Sequence, residues 1–159
     1  MAVWNSIAWG ASMVDIGTSG AVYKSRNMYL NTNVIKDSVV SHLIYAVEWD
    51  AAVKFISTEK NILDNTSWGN YSNNPDRSSV SPNNPAKTGA HENWKAKNVY
   101  DMGGNVFEWT MEAYNTTSRV LRGGSYNYLG TPFTAAFRGG NTPGVTVADY
   151  GFRVALYIK

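Results

Sequence analysis

The chain has 159 residues, no cysteine, a net charge of +2 and only 16% charged residues, with ten Tyr and six Trp. That length suits one domain with a sizeable core, and the missing cysteine excludes disulfides, thiolate metal sites and cysteine nucleophiles. No block of Lys or Arg and no long apolar run occurs, which argues against nucleic-acid binding and against membrane insertion.

Residues 1–40 mix short apolar runs with Asn, Ser and Gly, and predict loops with short strands. In "SHLIYAVEWDAAVKFISTEK" the first half alternates and suits a strand. Near-helical spacing of Ile44, Val47, Ala51 and Phe55 then predicts a helix from about Glu48 to Glu59, with Trp49 and Phe55–Ile56 packed inward. The segment Asn61–Ala90 is dense in Asn, Ser and Pro and predicts a long surface excursion held down by Trp68 and Tyr71. Its Asn-X-Ser/Thr triplets at Asn65 and Asn70, like the one at Asn115, follow from composition and are not taken as glycan acceptors. "KAKNVYDMGGNVFEWTMEAY" places a Gly103–Gly104–Asn105 turn between two aromatic strands. "RVLRGG" and "GFRVALYI" are further short strands, and being short, apolar and bounded by glycine turns they are expected to lie side by side. Between them, residues 123–153 are rich in Gly, Pro, Thr and aromatics with little charge. The class is α+β, with one or two helices, many short strands and long connections.

"YAVEWDAAVKFI", "NVYDMGGNVFEWT" and "RVLRGGSY…YGFRVAL" together resemble the formylglycine-generating-enzyme (sulfatase-modifying factor) branch of the C-type lectin fold, in that family's order, over about residues 40–159. The resemblance implies one C-type lectin-like domain over 1–159. Trp49 and Trp109 would fill the core between sheet and helix. Arg122 and Arg153 would donate forked hydrogen bonds to loop carbonyls. The family's enzymes use a cysteine pair to bind copper, and a related iron-dependent branch uses a histidine cluster. This chain has no cysteine, and only His42 and His91. No catalytic residue, cofactor or redox metal is therefore expected. Some family members hold calcium, and the resemblance would place Asp101 and Glu108 as ligands beside the carbonyls of Gly104 and Val106. The competing assignment is that Asp101 caps the turn and Glu108 pairs with a loop amide or an arginine.

From Ala113 to Ile158 there is no Lys, Glu, Gln, Met or Trp, whereas the first 112 residues hold 23 of these types. Randomising the adenines of Asn codons that end in C or T yields none of these five residues and no stop. The chain thus resembles the variable proteins of diversity-generating retroelements, which use this lectin-like fold with variable positions near the C-terminus. The resemblance implies a diversified region within 120–159 and a ligand-binding face of Tyr126, Tyr128, Leu129, Thr131, Phe133, Phe137, Asn141, Val145, Val147, Asp149 and Tyr150. Rings supply rigid area and small polar residues supply adaptable hydrogen bonds, as in paratopes. The expected partner is a protein or glycan receptor on a target cell surface. The expected location is a phage tail tip or a bacterial surface, with oligomerisation through a region preceding this chain. A modifying enzyme and a structural tail subunit are the alternatives.

Overall fold

The computed structural model describes residues 4–29, 38–79 and 83–159. Parts of the 1–40 stretch expected to form loops with short strands, residues 1–3 and 30–37, and the part of the excursion at 80–82 lie outside these residues.

Helix α1 (Gly20–Asn27) opens the described structure. It was not legible as a helix, because its buried residues Gly20, Ala21, Val22 and Ser25 form no long apolar stripe. Strand β1 (Val39–Leu43) leads into α2 (Ala46–Ile56). The Glu48 carboxylate accepts the Tyr45 N–H at 2.8 Å and so starts the helix two residues before the expected Glu48. Trp49, Val53 and Ile56, spaced i, i+4, i+7, make its buried stripe. Phe55 falls off that stripe. It is exposed, against expectation, with the Lys97 Nζ 4.4 Å above its ring.

A two-stranded ribbon, β2 (Lys95–Ala96) with β3 (Val99–Tyr100), precedes the turn at Gly103–Asn105. Next come β4 (Phe107–Ala113), β5 (Arg119–Arg122), β6 (Arg138–Asn141), β7 (Tyr150–Phe152) and β8 (Val154–Ile158). The main sheet runs β6-β5-β4-β7, antiparallel except for β7, which lies parallel to β4. Strand β8 leaves it to pair with β1. The flanks "RVLRGG" and "YGFRVAL" are therefore not neighbours, contrary to the sequence expectation. Strand β4 stands between them, with Glu108 opposite Arg122 on one side and Gly151 on the other. Similar short apolar strands carry no signal for which pairs with which, and here the long β4 takes the centre.

Tryptophans build the core. Trp9, Trp49 and Trp109 are buried, and each indole N–H finds a main-chain carbonyl: Thr110 at 2.9 Å, Ala135 at 3.0 Å and Ile7 at 2.9 Å. Such bonds let the rings bury their area without stranding a donor. The Asn61–Ala90 segment is anchored by Trp68 and Tyr71 as expected, but much of it is not surface. Asn65, Asn70 and Asn74 are buried too. A buried loop must satisfy its peptide groups, and Asn offers both donor and acceptor for that purpose.

Candidate functional site

The loop from Gly123 to Phe137 is held mainly through its own main chain. Asn65 donates its N–H to the Gly130 carbonyl at 3.0 Å, and its side-chain oxygen accepts the Ala135 N–H. The Asn73 side chain accepts the Gly130 N–H at 2.9 Å, and the Ser72 N–H reaches the Tyr128 carbonyl at 2.8 Å. On the other side, Tyr126 donates its N–H to Asn105, Tyr71 Oη donates to the Gly123 carbonyl at 2.8 Å, and Trp49 bonds Ala135. The Arg122 guanidinium reaches the Ala136 carbonyl at 3.2 Å and pairs with Asp50. At two points the approach is too close for any side chain. Gly124 has φ +76°, and a Cβ there would meet the Phe133 carbonyl oxygen at 2.1 Å; one on Gly130 would meet the Thr66 nitrogen at 2.6 Å.

On this backbone the loop rings converge. Tyr128 and Phe133 stand 4.5 Å apart between centroids, and Phe133 and Phe137 4.9 Å. All three lie 5.2–6.0 Å from Phe107, as does Tyr150 at 6.0 Å from the far side of the loop. Trp109 meets Tyr150 edge-on at 5.5 Å. Tilted and edge contacts at these separations are the favoured arrangements of ring quadrupoles. Phe107 is the hub, and sequence reasoning missed it. The available signal was its place two residues before Trp109 on β4, which puts both rings on one face of the sheet.

The eleven expected face residues divide. Tyr128 and Leu129 are 40% and 50% exposed at the loop tip, and Phe133, Phe137 and Tyr150 are half-buried behind them. Asn141 joins the patch by donating to Tyr150 Oη at 3.0 Å. Thr131 is exposed and donates to Asp64, whose carboxyl is held below its ordinary range by hydrogen bonds from Thr66 and then Thr131. Val145 and Val147 sit on the β6–β7 connection, half-buried and exposed respectively. Two assignments are corrected. Tyr126, 6% exposed, packs inward because its N–H is drawn to the Asn105 carbonyl. Asp149, 4% exposed, accepts the Ser125 hydroxyl at 2.7 Å, while its carbonyl takes the Phe107 N–H at 2.8 Å. Both residues brace the face from below rather than forming it.

By strand alternation Glu108 points away from Phe107 and Trp109. Arg153 engages both its carboxylate oxygens and also reaches the carbonyls of Tyr100 and Asp101 at 3.3 and 3.1 Å. The arginine-pair assignment is thus the one observed for Glu108. Arg122 and Arg153 bond carboxylates as well as the carbonyls expected of them. The donor set for copper or iron does not fit this chain. Cysteine is absent, His42 is tied to Glu48 at 3.1 Å, and His91 accepts from the Asn93 N–H. Among the described residues no group of three or more His, Asp or Glu is placed to hold a metal ion.

Residues 44–158 match the family model of the Sulfatase-modifying factor enzyme 1-like domain. Among solved structures the fold is similar to variable protein 1 of Treponema denticola, at TM-score 0.56 and 22% identity over 76% of this chain and 48% of that one. It is similar to CarF to the same extent, at TM-score 0.56 and 23% identity. These likenesses place the chain in the mixed α/β, C-type lectin-like fold that the sequence predicts. Among curated proteins it is similar to the serine/threonine-protein kinases Pkn1 of Chlamydia trachomatis and Chlamydia caviae. Each is 34% identical over 80 residues, 38% of this chain. The match spans 13% of the length of those relatives.

Proposed function

We propose that this chain, which belongs to the sulfatase-modifying factor enzyme 1-like domain family, is not an enzyme but a ligand-binding variable protein that displays a diversified face on a lectin-like scaffold. The observation that carries this reading is the ring patch in which Tyr128 stands exposed over the half-buried Phe133, Phe137 and Tyr150. It is assembled from a segment that lacks Lys, Glu, Gln, Met and Trp, over a fixed hub at Phe107. Exposed apolar patches on otherwise polar surfaces mark interaction sites, and aromatic anchors near an interface centre carry most of its energy. The grip on the loop runs largely through peptide groups, which every residue except proline supplies in full, so the side chains can change while the backbone keeps its course.

The rigid scaffold also limits the ordering entropy lost when a partner docks. The partner class is a protein or glycan receptor on a target cell, with the protein carried at a phage tail tip or on a bacterial surface. The similarity to a protein named a variable protein supports the same reading. The copper chemistry of the family's enzymes would need the cysteine pair that this chain lacks.

Sequencing the genomic DNA on either side of the coding region tests the proposal. The expected result is a near-repeat of the codons for residues 120–159 beside a reverse-transcriptase gene. Mismatches should fall at adenines of the repeat and concentrate on Tyr128, Leu129, Thr131, Phe133, Phe137, Asn141, Val145, Val147 and Tyr150. A repeat whose mismatches are spread over all four bases would sink the diversification reading.

A further inference from the structure

The main sheet has two edges, and only one is covered. Beyond β7 the N-terminal segment lies alongside: Asn5 bridges Gly151 in the antiparallel sense, and the Ile7 N–H reaches the Tyr150 carbonyl at 3.4 Å. Strand β6 is the other edge, paired with β5 on its inner side. Among the described residues its main-chain groups have no partner other than β5, and Arg138 and Gly140 are exposed. Successive residues of a strand direct their N–H and C=O groups to alternate edges. The outer edge of β6 thus presents donors and acceptors at strand spacing, the template on which another strand forms.

Folded chains blunt such edges with charged side chains, prolines or bulges. Strand β6 does not. Its register with β5 runs unbroken from Asn141 opposite Arg119 to Arg138 opposite Arg122, and its centre is Gly139–Gly140. Arg138 is turned away onto β4, with its Nε 2.9 Å from the Glu112 carboxylate and its guanidinium 5.0 Å from the Tyr114 ring centroid. The glycines let two rings lie flat against the strand. A Cβ at Gly139 would meet the Phe137 ring at 2.9 Å, and one at Gly140 would run into the Tyr114 ring. Adjacent strand residues face opposite sides, so one ring flanks the open edge on each face.

We infer that the partner of the ring patch is a polypeptide, which adds an extended segment as a further strand beside β6. The inference rests on the reading of that patch as a binding face and names its partner class. The edge is continuous with the patch: Phe137, one of its rings, leads into β6, and Asn141 at the other end donates to Tyr150 Oη at 3.0 Å. Two features select a polypeptide over a glycan. Only a second main chain repeats its donors and acceptors every two residues, about 6.6–6.8 Å, to match the edge. The polar side chains around the rings are also largely spent within the molecule. Thr131 donates to Asp64, and Asn141 accepts the Thr142 N–H at 2.8 Å as well as donating to Tyr150. Sugar hydroxyls therefore find few free side-chain partners here. Alternate side chains of the added strand meet Phe137 on one face and Tyr114 with Arg138 on the other, so the favoured segment is apolar at every second position.

Amide exchange of the full chain, labelled with 15N and read by NMR, tests this. In the free protein alternate β6 amides, those facing away from β5, should exchange fast. Slow exchange at every β6 amide would overturn the inference, because the edge would then be covered. Acetyl-Thr-Val-Thr-Val-Thr-amide at millimolar concentration should slow the fast amides about fivefold or more at saturation. Its analogue N-methylated at the central threonine and the following valine, which blocks both edges of the peptide, should not. Equal effects of the two peptides, or no protection by the unmodified one, would overturn the inference. Methyl β-D-glucopyranoside and methyl β-D-galactopyranoside should leave the amides of β6, Tyr128 and Leu129 unmoved. Sugar-induced shifts at Tyr128 and Leu129 with no peptide protection at β6 would overturn the added strand and leave the patch standing as a glycan-binding face. A genome without the codon repeat, together with peptide protection at β6, would support the strand and remove the diversification.

Discussion

At the scale of single residues, Asp101 should leave a signature in the pH dependence of stability. Burial, its largest influence, pushes the carboxyl up to about 6 from an ordinary 3.8, with the Gly89 N–H and Arg153 pulling the other way. The folded chain therefore holds this proton more tightly than the unfolded chain does. The group costs nothing where both states are protonated, and its penalty grows as pH rises from about 4 through 6. Denaturant titrations should show wild-type stability falling relative to Asp101→Asn by about 2–3 kcal/mol between pH 4 and pH 7. A difference that stays flat across that range would mean that the carboxylate is effectively solvated. The contrast between core and face is just as measurable. Trp109→Ala removes a fully buried ring and its bond to Ile7, and should cost roughly 3–5 kcal/mol. Leu129→Ser and Val147→Ser, at exposed positions, should each stay within about 0.5 kcal/mol. Thermal melts in which these two match Trp109→Ala would show that the face is core.

Among the elements, the most consequential is the part that sequence described least well. The Asn61–Ala90 segment reads as polar surface because its Asn and Ser content carries no apolar period. In the structure Asn65, Asn70 and Asn74 are buried amides, and Asn65, together with the exposed Asn73, holds the neighbouring loop by main-chain groups. Composition reports polarity, and cannot distinguish an amide facing water from one facing a peptide group. Asn65→Ala and Asn73→Ala should speed amide hydrogen exchange at Ala135 and Gly130, the N–H groups that those side chains accept. The Asn65 change should also lower stability by about 1–3 kcal/mol, since it strands a buried donor. Unchanged exchange at both amides would show that the loop stands without the grip. Helix α2 lies at the legible end, because Trp49, Val53 and Ile56 recur with helical period. Its misplaced Phe55 shows the limit of that signal: two adjacent apolar residues cannot both face inward, and spacing alone does not choose between them.

Over the whole molecule, the fold class was readable, because motif order is a property of the chain itself. The strand order was not. Two short apolar strands look like partners in sequence, yet β4 lies between them and carries Phe107 to the centre of the rings. Nor could sequence separate Tyr126 and Asp149 from the residues beside them, since their burial follows from bonds to Asn105 and Ser125 that lie 21 and 24 positions away. The main-chain grip on residues 123–137 has a consequence for descent. In most proteins a change to a recognition residue is judged twice, once for folding and once for what it recognises. Here the exposed positions at the loop tip, Tyr128 and Leu129, sit on a course fixed by neighbours that touch peptide groups, so for them the first judgement is largely suspended. On the reading proposed above, a lineage could rewrite its specificity in one step, and an unsuccessful variant would still fold and serve as the starting point for the next.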